Sequence, residues 1–256
     1  MWKKPKTLDE AKKLIAGPAG VEFEKYPLKF AVPAYFGIRP QPGEPATVNS
    51  GTASLLRIGG QPYALTCSHV LEAYRERSGE GTCIFQIGNC ELDPLTQLKV
   101  EDKKLDYALI GLTEAQGKEI SMPDGPFDGK FFCEVSQWPP GDVMNGDFVA
   151  FGGFPGKLRQ AISFDKLSFG SFSSGASRVA SVGEDYVVSQ FEREFWVKHG
   201  HEAEPETIRG MSGGPVFAIR HNVESGIMTY EFIGHIYQFS EDFELLYVRL
   251  VRTLTL

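Results

Sequence analysis

The chain has 256 residues, of which 42% are hydrophobic and 23% are charged, as in an ordinary soluble globular protein. A chain of this length buries enough surface to fold without disulfides or a structural metal. Its formal net charge is −7, from 26 basic and 33 acidic residues, which argues against nucleic acid or an anionic membrane as the main partner.

The N-terminal residues predict one short helix. Residues 7–16 are amphipathic, Thr7 and Glu10 fit a capping box, and Gly17-Pro18 predicts the end of that helix. The segment lacks a signal-peptide pattern, and no window of the chain approaches the apolar length of a membrane span. We therefore expect residues 1–20 to be a helical extension, which either caps the following domain or docks a regulatory protein.

From about residue 21 the pattern changes to short β-rich runs separated by Gly, Pro, Asn and Asp turns. Many short strands at this spacing, with 28 Gly and 16 Pro, predict an all-β sandwich or barrel. Helical periodicity recurs only near 70–77, and the polar stretch 114–140 is the best candidate for a connection between two halves. The predicted strands are 28–36, 53–58, 63–67, 82–87, 107–112, 147–152, 186–191, 216–219 and 229–237.

The cysteines predict the compartment rather than the chemistry. The chain contains only Cys67, Cys83, Cys90 and Cys133, and no C-x-x-C pair of the kind that zinc sites use. Free thiols in a reducing cytosol are the simplest interpretation, so we expect a cytoplasmic protein. We expect neither a metal nor an organic cofactor.

Three short segments contain residues whose side chains could take part in catalysis. Tyr63–Val70 is an apolar run that ends in a small-residue turn and His69. Lys104–Ile110 places Asp106 at the start of an apolar strand. Arg209–Phe217 places Ser212 in a glycine-rich bend that continues into a strand.

Together these residue types match the needs of amide hydrolysis by a serine. An isolated hydroxyl is a poor nucleophile, so a base must take its proton, and the pKa of histidine, about 6.5 when unperturbed, suits that role. A carboxylate then holds the imidazole in the correct tautomer, and preorganised N–H donors stabilise the developing oxyanion. We therefore predict that His69, Asp106 and Ser212 form a catalytic triad.

The same motifs resemble those of the trypsin-like, chymotrypsin-fold serine peptidases. The resemblance lies in Thr66-Cys67-Ser68-His69, Asp106-Tyr107-Ala108-Leu109 and Gly210-Met211-Ser212-Gly213-Gly214-Pro215. It implies a peptidase domain over 21–256 with two antiparallel six-stranded β-barrels and the active-site cleft between them.

The resemblance also assigns parts of that domain. The first barrel would cover about 28–115, the connection about 116–140 and the second barrel about 141–250. The backbone N–H groups of Gly210 and Ser212 would form the oxyanion hole.

The chain departs from the digestive members of that family. Met211 occupies the place of the aspartate that pairs with a newly cut N-terminal amine, and no Ile-Val-Gly-Gly activation sequence precedes the first barrel. Activation by cleavage is therefore not expected. In this respect the chain is more similar to the HtrA-like and glutamyl-endopeptidase-like bacterial branches.

The sequence indicates less clearly which substrate side chain would be preferred. Glu206 lies six residues before Ser212, where an acidic residue in trypsin selects Arg or Lys, but it also belongs to an acidic loop. Thr207 and His235 resemble the pair that binds acidic side chains in glutamyl endopeptidases. However, His235 follows Gly234 directly, whereas that family has one residue between its glycine and its histidine. A shift of one residue on a strand points the side chain to the opposite face. We expect Ile236 and Tyr237 to line an apolar pocket and an edge strand where substrate pairs.

The function predicted from the sequence is a serine endopeptidase that acts on protein or peptide substrates. Two alternatives stay open. One is a trypsin-like module that binds a peptide without cutting it, and the other is a protease effector that is inactive until a partner or ligand organises the oxyanion loop.

Overall fold

The computed structural model describes residues 13, 17–38, 47–123, 129–135, 141–163, 166–190, 205, 207–222 and 227–254. The protein is mostly β, as predicted. The α-helices that begin and end within these ranges are α1 (Pro18–Lys25), α2 (Ser68–Ser78) and α3 (Glu114–Ser121). The strands are β1 (Ala31–Ile38), β2 (Val48–Ile58), β3 (Gln61–Thr66), β4 (Cys83–Ile87), β5 (Cys90–Glu91), β6 (Leu98–Asp102), β7 (Tyr107–Gly111), β8 (Cys133–Glu134), β9 (Phe148–Gly153), β10 (Arg159–Ala161), β11 (Leu167–Phe169), β12 (Phe172–Val182), β13 (Tyr186–Gln190), β14 (Pro215–Asn222), β15 (Ile227–Ser240) and β16 (Leu245–Leu250).

A helix that was not predicted precedes the first strand, and this strand begins later than predicted. The helix predicted over 7–16 lies outside the described residues, except for Lys13, so its predicted end at Gly17-Pro18 stays a prediction. Pro18 is the first residue of a further helix, α1, with Gly17 as its N-cap. Proline suits the first helical position because its ring fixes a helical φ and its missing N–H would have no partner there. A 3₁₀ turn at Tyr26–Phe30 follows, so the first strand begins at Ala31, not at residue 28.

The first half of the chain forms one open sheet. Its strands follow the order β5-β4-β1-β2-β3-β7-β6, with β8 paired in parallel to β2. After β5 the Asp93 carboxylate accepts hydrogen bonds from the N–H groups of Leu95 and Thr96 in a turn that precedes β6. The end strands β5 and β6 are not paired with each other within the described residues, so closure of the first predicted barrel is not shown.

The second half contains a closed barrel with six strands, as predicted. The strand order around it is β12-β13-β16-β15-β14-β9, and all the pairs that close it are antiparallel. Closure leaves no unpaired edge. A separate two-stranded ribbon, β10-β11, projects from the loop after β9. The boundaries predicted for the two halves stay predictions, and α3 and β8 lie within or beside the stretch expected to connect them.

A shared aromatic core joins the sheet to the barrel. One hydrophobic cluster lies under the sheet, a second fills the barrel, and a third contains residues of both. In the third cluster Leu65 and Leu109 of the sheet pack with Phe217 and Phe232 of the barrel. Tyr26 stacks on Tyr230 with ring centroids 3.9 Å apart, which ties the N-terminal segment to the same core. The cluster fixes where the edges of the two halves meet.

None of the helices in the described ranges has both the length and the apolar character needed to cross a bilayer.

Candidate active site

His69 lies in the first turn of α2, just after β3 ends. The residue before the helix, Cys67, is extended, so strand and helix are separated by one residue and His69 emerges at the end of the sheet. Its side chain is 48% exposed, which leaves the ring open to a substrate. The strand predicted over 63–67 and the helix near 70–77 are both confirmed here.

Asp106 closes the turn between β6 and β7 and orients His69 through two hydrogen bonds. Its Oδ1 accepts from the backbone N–H of His69 at 3.0 Å, and its Oδ2 lies 2.8 Å from the ring Nδ1. A carboxylate can only accept here, so Nδ1 carries the proton and Nε2 is the nitrogen free to act as a base. Burial by itself raises the pKa of Asp106, but the hydrogen bonds from His69 outweigh it and lower that pKa below its ordinary value.

Ser212 lies in a tight bend that precedes β14. The Ser212 carbonyl accepts a hydrogen bond from the N–H of Thr52 at 2.8 Å, which ties the bend to the first sheet. The bend then turns at Gly213, whose φ is +93° and whose N–H donates to the carbonyl of Ile236. A Cβ at Gly213 would lie 2.0 Å from the Thr52 carbonyl oxygen, so the approach between sheet and bend requires glycine.

The bend leaves two N–H groups without an acceptor. The N–H groups of Met211, Gly213 and Gly214 all donate to backbone carbonyls. Those of Gly210 and Ser212 have no acceptor among the described residues, and both residues line the same cavity. Unused donors at an accessible bend are what an oxyanion site requires. Met211 is fully buried in the barrel core, so apolar packing anchors the bend.

One cavity contains both His69 and Ser212. It has a volume of about 280 Å³ and is lined by Phe36, Asn49, Ser50, His69, Val70, Ala73, Arg209, Gly210 and Ser212. Within the described residues no hydrogen bond joins the Ser212 hydroxyl to the His69 ring. Such bonds often form only when substrate binds, and a serine hydroxyl reaches three positions by rotation about one bond. The structure thus brings the three predicted residues to one place, with the His69–Asp106 pair already formed.

Two buried hydroxyl groups that were not predicted from the sequence hold the bend in place. Thr52 on β2 donates from Oγ1 to the Gly210 carbonyl at 2.9 Å and accepts from the Phe154 N–H at 3.0 Å. Ser54 donates to the Gly213 carbonyl at 2.7 Å. Both side chains are fully buried. The available signal was a run of small polar residues within a strand, Asn49–Ser54, which an apolar core does not need.

The residues predicted to bind substrate have different surroundings. Glu206 lies outside the described residues. Thr207 donates a hydrogen bond to Glu241 and lies in a second cavity. Ile236 is 2% exposed and packs in the barrel core, so its side chain does not line either cavity. Tyr237 is partly buried against the core of the sheet, with the Arg249 guanidinium 4.3 Å from its ring centroid.

The second cavity adjoins the first at Arg209. It has a volume of about 460 Å³ and is lined by Gly156, Lys157, Thr207, Arg209 and Glu241. Arg209 and Glu241 form an ion pair at 3.2 Å. The hydrogen bond from Thr207, together with the charge of Arg209, holds the pKa of Glu241 below its ordinary value. Among the described residues of the lining, two cations thus face one carboxylate, which gives this set a net positive charge.

The same region offers a group of three residues that could ligate a metal. Potential ligand atoms of Cys67, His69 and Asp106 all lie within 4.8 Å of one another. However, Cys67 is fully buried, and burial raises the pKa of its thiol well above the ordinary value. Its Sγ–H donates to the Ile236 carbonyl at 3.3 Å, and His69 and Asp106 bond to each other. These groups fit a hydrogen-bonded pair beside a protonated thiol better than a metal centre, which needs thiolate.

Comparisons with known proteins give only distant similarities. The sequence matches no protein-family model, and no curated protein matches it. A catalytically inactive tobacco etch virus protease complexed with substrate is 12% identical over 89% of this chain and 81% of that chain, with a TM-score of 0.42. A catalytically active tobacco etch virus protease complexed with product is 11% identical over 98% and 83%, with a TM-score of 0.45. A Glu endopeptidase is 13% identical over 85% and 83%, with a TM-score of 0.43.

Proposed function

We propose that this protein is a serine endopeptidase in which His69, Asp106 and Ser212 form the catalytic triad. The observation that carries the proposal is the convergence of a preformed His69–Asp106 hydrogen bond, the Ser212 hydroxyl and two unused N–H donors on one cavity. The His69–Asp106 pair and the Ser212 bend come from different halves of the chain, so their proximity is not the result of a local turn.

The proposed reaction follows from the protonation state of the pair. His69 Nε2 takes the hydroxyl proton as the Ser212 oxygen attacks the substrate carbonyl carbon. The carbonyl oxygen becomes an oxyanion that accepts from the N–H groups of Gly210 and Ser212. The imidazolium then returns its proton to the leaving amine, and an acyl-enzyme forms. Water, deprotonated by His69, hydrolyses this ester and restores the hydroxyl.

We further propose that the second cavity receives a substrate side chain. It adjoins the catalytic cavity and shares Arg209 with it, three residues before Ser212. Lys157 and Arg209 favour an acidic side chain, because Glu241 neutralises only one of their two charges. A protein or peptide with an exposed Glu or Asp is therefore the proposed substrate class.

A fluorophosphonate probe, which reacts with activated serines, tests the catalytic proposal. We expect it to label the wild type and to fail on Ser212→Ala. Ser50→Ala is the matched control, because Ser50 lines the same cavity and should not affect labelling. Labelling of Ser212→Ala at the wild-type level would disprove the role of this serine.

Incubation of the purified protein with a denatured protein, followed by mapping of the new termini, tests turnover. New termini that depend on Ser212 support the endopeptidase. Labelling without turnover would favour the effector that needs a partner or ligand, with residues 1–20 as its proposed docking element. Absence of both would favour the non-cleaving peptide-binding module.

A further inference from the structure

His235 links the barrel to the turn that carries Asp106. It lies on β15 and is 1% exposed, and its Nε2 lies 3.3 Å from the backbone carbonyl oxygen of Asp106. The two residues are 129 positions apart in the sequence. This contact therefore connects the two halves of the protein beside the His69–Asp106 pair.

The protonation of His235 follows from its partner. The Asp106 carbonyl can only accept a hydrogen bond, so Nε2 must carry the proton. The other ring nitrogen, Nδ1, is buried and has no hydrogen-bond partner among the described residues. Burial lowers the pKa of His235 to about 4, although the nearby Asp106 opposes this shift. The ring is therefore a neutral imidazole with a single donor, and that donor is directed at Asp106.

Asp106 needs such support because its backbone is strained. Its φ is +55°, in the left-handed region that is unfavourable for a residue with a side chain. Within the turn, the Asp102 carboxylate accepts from the Leu105 N–H at 2.9 Å, which orders the residues just before Asp106. A bond to the Asp106 carbonyl fixes the peptide that follows. The direction of the carboxylate depends on this backbone, and with it both hydrogen bonds to His69.

We propose that His235 is a positioning residue for the active site: its Nε2–H bond to the Asp106 carbonyl holds the Asp106 carboxylate in line with His69. The proposal rests on the proposed function for its catalytic consequence but not for its geometry. It gives this buried histidine a role unrelated to substrate specificity. It also makes the alignment of the triad depend on the docking of barrel against sheet.

The test uses three substitutions at His235 and one matched control. Gln keeps an N–H donor at about the distance of Nε2, whereas Leu removes the donor and Asn is too short to reach the Asp106 carbonyl. Asn keeps the site polar and serves if the Leu variant fails to fold. His221→Gln is the control, because His221 is an exposed histidine on the neighbouring strand β14.

The first measurement is the low-field proton NMR resonance of the His69 ring N–H, identified by its loss in His69→Ala. We expect wild type, His235→Gln and His221→Gln to keep this resonance unshifted. We expect His235→Leu and His235→Asn to shift or broaden it, while their circular dichroism stays that of the wild type. An unchanged resonance in folded Leu and Asn variants would overturn the proposal.

The second measurement is the rate of fluorophosphonate labelling at saturating probe. A misplacement of the triad by about 1 Å costs on the order of 100-fold in rate, so we expect a loss of that size in the Leu and Asn variants and recovery in the Gln variant. Equal loss in the Leu, Asn and Gln variants would overturn the proposal, because a packing role does not depend on the donor.

The two measurements separate this proposal from the endopeptidase assignment. If the wild type is not labelled but the resonance shifts only in the Leu and Asn variants, the serine-hydrolase chemistry fails and the positioning role stands. If the wild type is labelled and every His235 variant behaves like it, the positioning role fails and the chemistry stands.

Discussion

Asp106 combines a strained backbone with the side-chain contacts that orient His69. It has a positive φ, and its carboxylate makes both hydrogen bonds that orient His69. Aspartate tolerates the left-handed region better than most residues because its short polar side chain bonds locally. Asp106 and Glu244 are the described non-glycine residues with a positive φ, and the proposed mechanism requires Asp106 to be fixed. Strained backbone tends to be kept at such functional positions.

At Gly213 the structure predicts a large effect of one methyl group. In Gly213→Ala the new Cβ would meet the Thr52 carbonyl, and the positive φ adds strain, so we expect a loss of about 2–5 kcal/mol in the free energy of unfolding, measured by urea denaturation. Gly59→Ala is the control, because Gly59 also has a positive φ but no atom within 4 Å of a new Cβ. Equal losses in both variants would mean that the close approach contributes nothing.

Lys157 provides a test of the acidic side-chain preference. Reversing its charge in Lys157→Glu should reduce cleavage after Glu and Asp by about tenfold, because a like charge then faces the substrate carboxylate at the cavity. The measurement is the distribution of new termini in a digested denatured protein. Lys118→Glu carries the same charge change on an exposed position of α3 and should leave the distribution unaltered. An unchanged distribution in Lys157→Glu would argue against this subsite.

At the scale of elements, strand β2 is the support on which the serine bend rests. Its residues Thr52 and Ser54 bond to the backbone of Gly210, Ser212 and Gly213 from the opposite half of the chain. Because the two hydroxyls are buried, each bond that is lost leaves a group without water to replace its partner.

We therefore expect Thr52→Val to lower both the stability of the protein and the reactivity of Ser212 toward the fluorophosphonate probe. The change keeps the shape but removes the hydroxyl, which leaves the Gly210 carbonyl and the Phe154 N–H unsatisfied at about 1–3 kcal/mol each. We expect a lower urea midpoint and slower fluorophosphonate labelling. Thr52→Ser keeps the hydroxyl and should label at close to the wild-type rate. Slow labelling in Thr52→Ser as well would argue against the hydroxyl as the cause, because that variant keeps it.

Helix α1 carries a carboxyl group that should make stability depend on pH. Burial raises the pKa of Glu24 to about 7, although Lys25 opposes the shift. Between its ordinary pKa near 4.5 and about 7, the folded protein holds this proton and the unfolded chain does not. The contribution of Glu24 to the free energy of unfolding is thus fully present below pH 4.5 and is lost as pH rises through about 7.

The measurement is the thermal midpoint at pH 5 and pH 8 for wild type and Glu24→Gln. We expect the variant to lose part of the drop in stability that the wild type shows between these values. Glu22→Gln changes an exposed carboxylate of the same helix and should keep the wild-type dependence. The same pH dependence in all three proteins would show that Glu24 is not responsible.

At the scale of the whole molecule, the shared aromatic core couples folding to the site. His69 and Asp106 adjoin strands of the sheet, and Ser212 precedes β14 of the barrel, so they meet only if the two halves dock correctly. Phe217 is fully buried at this junction, with ring contacts to Tyr26, Phe30, Tyr230 and Phe232.

Phe217→Ala should therefore lower stability by about 3–5 kcal/mol and reduce labelling at temperatures below the midpoint. Its control is Phe243→Ala, because Phe243 is 74% exposed and its removal should change stability by no more than about 0.5 kcal/mol. Normal labelling by a destabilised but folded Phe217→Ala would show that this core sets stability without setting the geometry of the site.

The strand pattern by itself predicted the mostly β character. The resemblance of its three motifs to a known family implied the closed second barrel and pointed to the three residues on which the proposed chemistry depends. Period-two runs between turns give strands because side chains alternate between core and solvent, and a His, Asp, Ser set with flanking glycines has few other uses. These signals are local, so each could be found without knowing its partner.

Only the tertiary structure decided what depends on distant contacts. The open sheet, the helix that begins at Pro18, the hydroxyl of Thr52 under the serine bend and the place of Ile236 in the barrel core could not be inferred from their own neighbourhoods. His235 shows the reason most clearly, because the atom it bonds is 129 positions away and is reached only when barrel and sheet pack together. Burial and hydrogen-bond partners are properties of the packed molecule. They distinguish the buried His235 from the exposed His221, which the sequence alone does not.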